Sequence, residues 1–369
     1  MSKMKVAIVH DWLTGMRGGE KCLEVFCELY PDATLFTLVH NKGSVSPVIE
    51  NMDIRTSFLQ KFPGVSENYR SFLPFFPAAA ESFDLSGYDL VLSSSHCAAK
   101  GVKSPPGALH VCYCYTPMRY AWTFFDEYFS GENPVKRWMI SMVINRLKRW
   151  DIASNKRIDY FIAISDNVKN RIAQIYDREA DVIYPPAEVY PEEGQEGDRG
   201  YYLIVSALVP YKRVDIAVKA FNETGKPLVI IGKGTDLERL KEISNGNITF
   251  RGWVSDRELQ GYYAGCSALV FPGVEDFGIV PVEAQAHGKP VIAYAKGGAL
   301  ETVNNATGVF FNEQTVPAIN SAIETFEKNK SAFNPEKIRQ NAQRFNRDRF
   351  KREIKDYVET KWREHENTK

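Results

Sequence analysis

The chain has no excess of charge of either sign: Lys+Arg and Asp+Glu each number 46 among 369 residues. Without a net field it has no long-range pull on nucleic acid, which argues against that class of partner. Cysteine is sparse. The six present (Cys22, Cys27, Cys97, Cys112, Cys114, Cys266) form no Cys-x-x-Cys pair and have no His at metal-ligand spacing. Several lie in apolar runs, where a buried reduced thiol is the default, so a reducing compartment is expected. No run approaches the roughly 18 apolar residues that a spanning helix needs. The strand at Val6–Val9 comes with no basic-then-apolar leader before it. These absences together read as a cytoplasmic chain.

What is present is an ordinary globular composition, 44% hydrophobic and 25% charged. The length favours two domains. In the first half, Lys5–His10 reads as a buried strand, Gly15, Gly18 and Gly19 as a flexible loop, and Glu20–Tyr30 as a helix by its apolar spacing. The loop matches neither a G-x-G-x-x-G fingerprint nor a P-loop, so it is a phosphate cradle or simply a tight strand-helix turn. Further strands are expected at Ala33–Val39, Tyr88–Ser95, His110–Tyr115 and Asp159–Ser165, and a helix over Asp166–Tyr176. His96 stands at a strand's C-terminal end, where parallel sheets bind ligands; the alternative is a structural histidine. Lys100 and Arg119 lie beyond strand ends, as anion contacts or as surface charges. The segment 133–157 reads as a long helix with apolar Trp138, Met139, Met142, Val143 and Leu147 and a basic polar side. It fits either an anionic membrane surface or packing on its own domain with the basic side in water.

The Pro-, Gly- and acid-rich stretch 184–200 reads as a domain boundary. Beyond it strands and helices alternate, which means a parallel sheet covered on both faces. The most telling stretch is FPGVEDFGIVPVEAQAHGKP, Phe271–Pro290. A strand runs through a Gly-containing loop into a helix that opens near Ile279, and Glu275 and Glu283 stand eight residues apart across the junction. With Gly278 beside it, such a helix N-terminus offers N–H groups to a phosphate. The carboxylates would take hydroxyl hydrogen bonds; alternatively Glu283, placed in the first turn, caps its own helix. Lys212 and Arg213 follow the first strand of this half, at the same ligand edge, and could neutralise a diphosphate. Lys296-Gly297-Gly298 is another turn that lets backbone approach a ligand. Two α/β domains, each with its ligand side at strand ends, imply a cleft between them.

VSALVPYKRVDIAVKAF, FRGWVSD, ALVFPGVEDFGIVPVEAQAHGKPVIA and KGGALETV together resemble the retaining glycosyltransferases of family 4. HDWLTGMRGGEK, YDLVLSSSHCAAKGV and YTPMRYAW are similar to a branch containing O-antigen and exopolysaccharide mannosyltransferases. The resemblance implies the α/β GT-B fold: two Rossmann-like parallel-sheet domains facing across a cleft, an acceptor-side domain over 1–190, a donor-binding domain over 191–345, and a helix over 346–369 crossing back to the first. It implies that Glu275 contacts the transferred sugar and Glu283 the nucleotide ribose. Gly278, Ile279 and Val280 would meet the donor phosphates through backbone, Lys212 would bind the diphosphate, and Gly18 and Gly19 would close on the donor.

Two departures stand out. Ala207 occupies a place where many members carry Arg, and Arg213 is the candidate substitute. Tyr115 stands where members commonly place a catalytic His, and His96 is the candidate for that role; with Arg119, Tyr115 is then an acceptor-side candidate. The family needs no metal, and no Asp-x-Asp is placed as a ligand. The expected partners are a nucleotide-sugar donor, GDP-mannose as the best guess, and a glycan or polyprenyl-diphosphate-linked acceptor, with peripheral membrane contact through 133–157. The rival readings are a sugar-nucleotide epimerase of the same fold and a two-domain sugar-binding protein.

Overall fold

The computed structural model describes residues 4–123, 125, 131, 133–188 and 197–368. They form two compact units, Met1–Pro186 with Phe350–Lys369, and Ala187–Arg349. The sequence-based boundary at 190/191 lies outside the described residues.

The first unit holds strands β1 (Val6–His10), β2 (Thr34–Thr37), β3 (Asp53–Thr56), β4 (Leu90–Ser95), β5 (Leu109–Cys114), β6 (Tyr160–Ala163) and β7 (Asp181–Val182). Its main helices are α1 (Gly18–Leu29), α2 (Pro134–Ser154) and α3 (Asp166–Tyr176). All strand pairs are parallel, in the order β3-β2-β1-β4-β5-β6-β7. Every residue of β1, β4 and β5 is buried, as expected of central strands covered on both faces. The edge strand β3 has no buried residue, so its sequence DIRT shows no apolar run from which it could be read.

The second unit holds β8 (Tyr201–Val205), β9 (Leu228–Ile231), β10 (Ile248–Gly252), β11 (Cys266–Phe271), β12 (Val291–Tyr294) and β13 (Gly308–Phe311), again all parallel, in the order β10-β9-β8-β11-β12-β13. Its helices include α4 (Val214–Thr224), α5 (Asp256–Gly265), α6 (Ile279–Ala286), α7 (Val316–Lys328) and α8 (Pro335–Gln343). A last helix, α9 (Arg347–Glu366), belongs from Phe350 onward to the first unit, where Phe350 packs on Phe26 and Tyr113. In each sheet the strand order reverses once, between β1 and β4 and between β8 and β11. At such a switch point the two flanking connections leave in opposite directions and open a crevice beyond the strands' carboxyl ends.

Three expectations need correction. Gly18 and Gly19 are the first two residues of α1 rather than part of the loop. Lys100 meets no ligand: it is 1% exposed, its Nζ lies 2.5 Å from Asp151 Oδ1, and it donates to Asn155 Oδ1 at 3.0 Å. An ammonium this deeply buried requires such a partner, and Asp151 is itself fixed by the Trp122 indole and the Tyr176 hydroxyl. Finally, the apolar residues of α2 divide between two sides. Ile140, Val143, Ile144 and Leu147 pack on the core, while Val135, Trp138, Met139 and Met142 are 68%, 62%, 48% and 47% exposed. Both sets follow the i, i+3, i+4, i+7 spacing of a helix side.

Candidate functional site

In the second unit the connection after β8 carries a 3-10 turn over Pro210–Lys212, followed by Arg213 in left-handed conformation (φ 54°) at the N-cap of α4. A non-glycine residue there is strained, and its guanidinium is held locally, Nε donating to Asp215 Oδ1 at 3.2 Å. Lys212 is 8% exposed, its Nζ lies 5.1 Å from the centre of the Tyr211 ring, and it is in contact with the Glu275 carboxylate. Glu275 arrives from the other side of the switch point, on the loop after β11.

That loop is fixed by its neighbour. Gly298 N–H donates to Glu275 O at 2.9 Å, and a Cβ on Gly298 would fall 2.2 Å from Phe277 O. The glycines at 297 and 298 thus admit the protein's own 275–277 backbone, where the sequence suggested a ligand. Gly278 (φ 88°) turns the chain into α6, which has no side-chain cap among the described residues. Glu283 does not cap it either. It is the fifth residue of the helix, in the second turn, and its Oε2 accepts from Tyr263 O–H at 2.9 Å. With Pro281 lacking a donor, the N–H groups of Ile279 and Val280 open the helix beside Gly278. Trp253, 71% exposed, follows β10 at its carboxyl end.

The first unit's switch point gathers a second cluster. Asp11, fully buried just after β1, takes four backbone N–H bonds from the turn after β4: His96 and Cys97 to Oδ2 (2.7 and 3.0 Å), Ala98 and Ala99 to Oδ1 (both 2.7 Å). His96 Nδ1 lies 3.2 Å from the same Oδ2, and its ring meets Trp12 edge-on at 4.6 Å. Burial drives the His96 imidazole below its ordinary pKa, against the opposing pull of Asp11. Tyr115 O–H donates to Gly19 O at 2.8 Å and shares a 2.8 Å hydrogen bond with Ser94, whose Oγ lies 3.0 Å from His10 Nδ1. Burial opposes the charge on Glu20, yet His10 and backbone donors hold its carboxyl below the ordinary value. Arg119 opens a short helix, Arg119–Trp122, and its charge also lowers the His96 pKa.

The structure therefore brings Lys212, Arg213, Glu275, Gly278, Ile279, Val280 and Glu283 to one edge of the second sheet, and Gly19, His96, Tyr115 and Arg119 to one edge of the first. Sequence reasoning missed Asp11 and Tyr263. Asp11 follows an apolar strand directly, the place from which a carboxylate can reach a neighbouring turn, whereas Tyr263 carries no local signal.

Residues 188–345 match the family described as glycosyl transferases group 1. A GDP-mannose-dependent alpha-(1-6)-phosphatidylinositol monomannoside mannosyltransferase of Mycobacterium tuberculosis is 35% identical over 146 residues, 34% of this chain and 38% of that protein. The O-antigen chain mannosyltransferase RfbU of Salmonella typhimurium is 26% identical over 187 residues, 47% of this chain and 53% of that protein. The chain thus spans only about half or less of these curated relatives. Among solved structures, the apo lipopolysaccharide outer core galactosyltransferase WaaB superposes with a TM-score of 0.67 at 16% identity, covering 97% of this chain and 100% of that one. Residues 188–345 are thus similar to group 1 glycosyl transferases, and the chain as a whole has the GT-B fold.

Proposed function

We propose that the chain is a retaining hexosyltransferase that moves mannose from GDP-mannose to a polyprenyl-diphosphate-linked or oligosaccharide acceptor in bacterial surface-polysaccharide synthesis. The observation that carries this is the meeting of Lys212, Glu275 and the α6 N-terminus at the second sheet's switch point. A diphosphate placed there meets an ammonium and the helix's first N–H groups, which stabilise negative charge as it develops on the leaving group. Arg213 adds a second cation in place of the arginine that Ala207 lacks, so the reading gives this duty to side chains and requires no metal. The bond from the sugar's anomeric carbon to the diphosphate breaks, an oxocarbenium-like centre forms, and the acceptor oxygen bonds from the same face. Its proton passes to the departing diphosphate. Glu275 orients the sugar, and Glu283 takes the ribose hydroxyls. Gly18 and Gly19 contribute to donor binding, and His96, Tyr115 and Arg119 to the acceptor.

The finer reading of location is peripheral attachment at the cytoplasmic face of the membrane. Among the described residues no helix is long and apolar enough to cross a membrane. The support for attachment is the exposed side of α2, where Val135, Trp138, Met139 and Met142 stand in water beside exposed Lys136, Arg146 and Arg149. The one acidic residue of that helix, Asp151, is buried against Lys100, so its exposed charge is all positive and complements anionic lipid.

The test is incubation with a panel of labelled nucleotide sugars, with and without a polyprenyl-linked acceptor. Label should move to the acceptor from GDP-mannose. Conversion of the donor in the absence of acceptor would favour the epimerase instead.

A further inference from the structure

Glu283 is held from two sides by groups with no assigned role. Tyr263, on α5, is 2% exposed, and its hydroxyl donates to Glu283 Oε2 at 2.9 Å. The His287 ring stacks on the Tyr263 ring, with centroids 5.5 Å apart and planes at 26°. One helical turn beyond Glu283, His287 Nδ1–H donates to the Glu283 carbonyl at 2.9 Å. The ring is thereby clamped, and its hydroxyl cannot swing away from the carboxylate. Burial pushes the phenol well above its ordinary pKa, so it remains a donor across the working range.

A glutamate on a helix ordinarily samples several rotamers, and fixing it when a ligand arrives costs affinity. A carboxylate also offers about four acceptor positions. The hydrogen bond from Tyr263 takes one of these positions, on Oε2, and fixes the plane of the group. We propose that Tyr263 is a positioning residue that presets the Glu283 carboxylate to read the cis-diol of a nucleotide's ribose. This deepens the proposed function and rests on its placement of the ribose at Glu283.

The experiment is calorimetric titration of wild type and Tyr263→Phe with GDP and with 2′,3′-dideoxy-GDP, or with the UDP pair if wild type binds UDP more tightly. Phenylalanine keeps the ring and its stacking on His287, and thermal unfolding checks that the fold survives. Wild type should prefer the ribonucleotide by on the order of tenfold or more, since each lost hydrogen bond is to a charged acceptor. In Tyr263→Phe, ribonucleotide affinity should fall roughly five- to tenfold while dideoxynucleotide affinity holds, so the preference shrinks toward one. Equal weakening of both ligands, or an unchanged preference, would overturn the inference and leave the donor site standing. Failure of wild type to bind either nucleoside diphosphate would overturn the functional reading beneath it.

Discussion

The Lys212 ammonium and the Glu275 carboxylate are in contact across the switch point of the second sheet, one from the connection after β8 and the other from the loop after β11. The two are paired counter-ions, so in the proposed donor site a diphosphate at Lys212 competes with Glu275 for the ammonium. Lys212→Ala should weaken nucleoside diphosphate binding by about tenfold or more, the range for a hydrogen bond to a charged group. Glu275→Ala should abolish transfer yet leave that binding intact or tighter. Calorimetry and turnover on the two variants check both. Unchanged affinity in the first, or near-normal turnover in the second, would contradict these roles.

Asp11 should matter to stability more than its short side chain suggests. Asp11→Ala leaves four backbone N–H groups in the turn after β4 without their acceptor, three of them on fully buried residues. The loss should be at least about 3 kcal/mol, because a buried charged partner is removed from groups that remain buried. Urea unfolding monitored by far-UV circular dichroism measures it. A midpoint equal to wild type would show that the turn is held by other contacts.

His110 predicts a slope of stability with pH. The ring is fully buried on β5; Nδ1–H donates to Arg157 O at 3.0 Å, and Nε2 accepts from Ser93 Oγ at 2.8 Å. Both nitrogens are thus satisfied in the neutral form, and desolvation lowers the pKa from 6.5 to about 4. The unfolded chain therefore binds a proton in that window that the folded chain does not. The stabilisation is fully present above pH 6.5 and is lost as pH falls toward about 4, on the order of 3 kcal/mol in total. His110→Gln should flatten the dependence of the urea midpoint between those limits. The same slope in the variant would assign the effect elsewhere.

The exposed side of α2 predicts binding to a lipid surface. Wild type should sediment with vesicles containing phosphatidylglycerol and release as salt rises, and should ignore pure phosphatidylcholine. Replacing Trp138, Met139 and Met142 with Ser should abolish sedimentation without lowering thermal stability, since these side chains are about half exposed or more. Absence of binding by wild type at low salt would leave α2 with a packing role alone.

The parallel sheets were legible because their central strands are continuous apolar runs bounded by Gly- and Pro-containing turns. Edge strand β3 was not, because DIRT is an exposed segment that only pairing makes a strand. Glu275 and Glu283 could be singled out, since carboxylates in an apolar strand-helix junction need a reason. Which group holds each of them could not: Tyr263 is twenty residues from Glu283 in the chain, and Lys212 lies on another connection altogether. The two apolar sides of α2 also hid in one sequence, because helical spacing groups residues by side but does not say which side meets the core.

The most direct measurement is transfer itself. Purified protein is given GDP-mannose labelled in the sugar and a polyprenyl-diphosphate-linked acceptor, and the product is analysed by chromatography and by NMR at the new anomeric centre. The account predicts labelled, acceptor-linked mannose with the donor's anomeric configuration, formed by wild type and not by Glu275→Ala. Label remaining in the nucleotide sugar, or an inverted product, would contradict it.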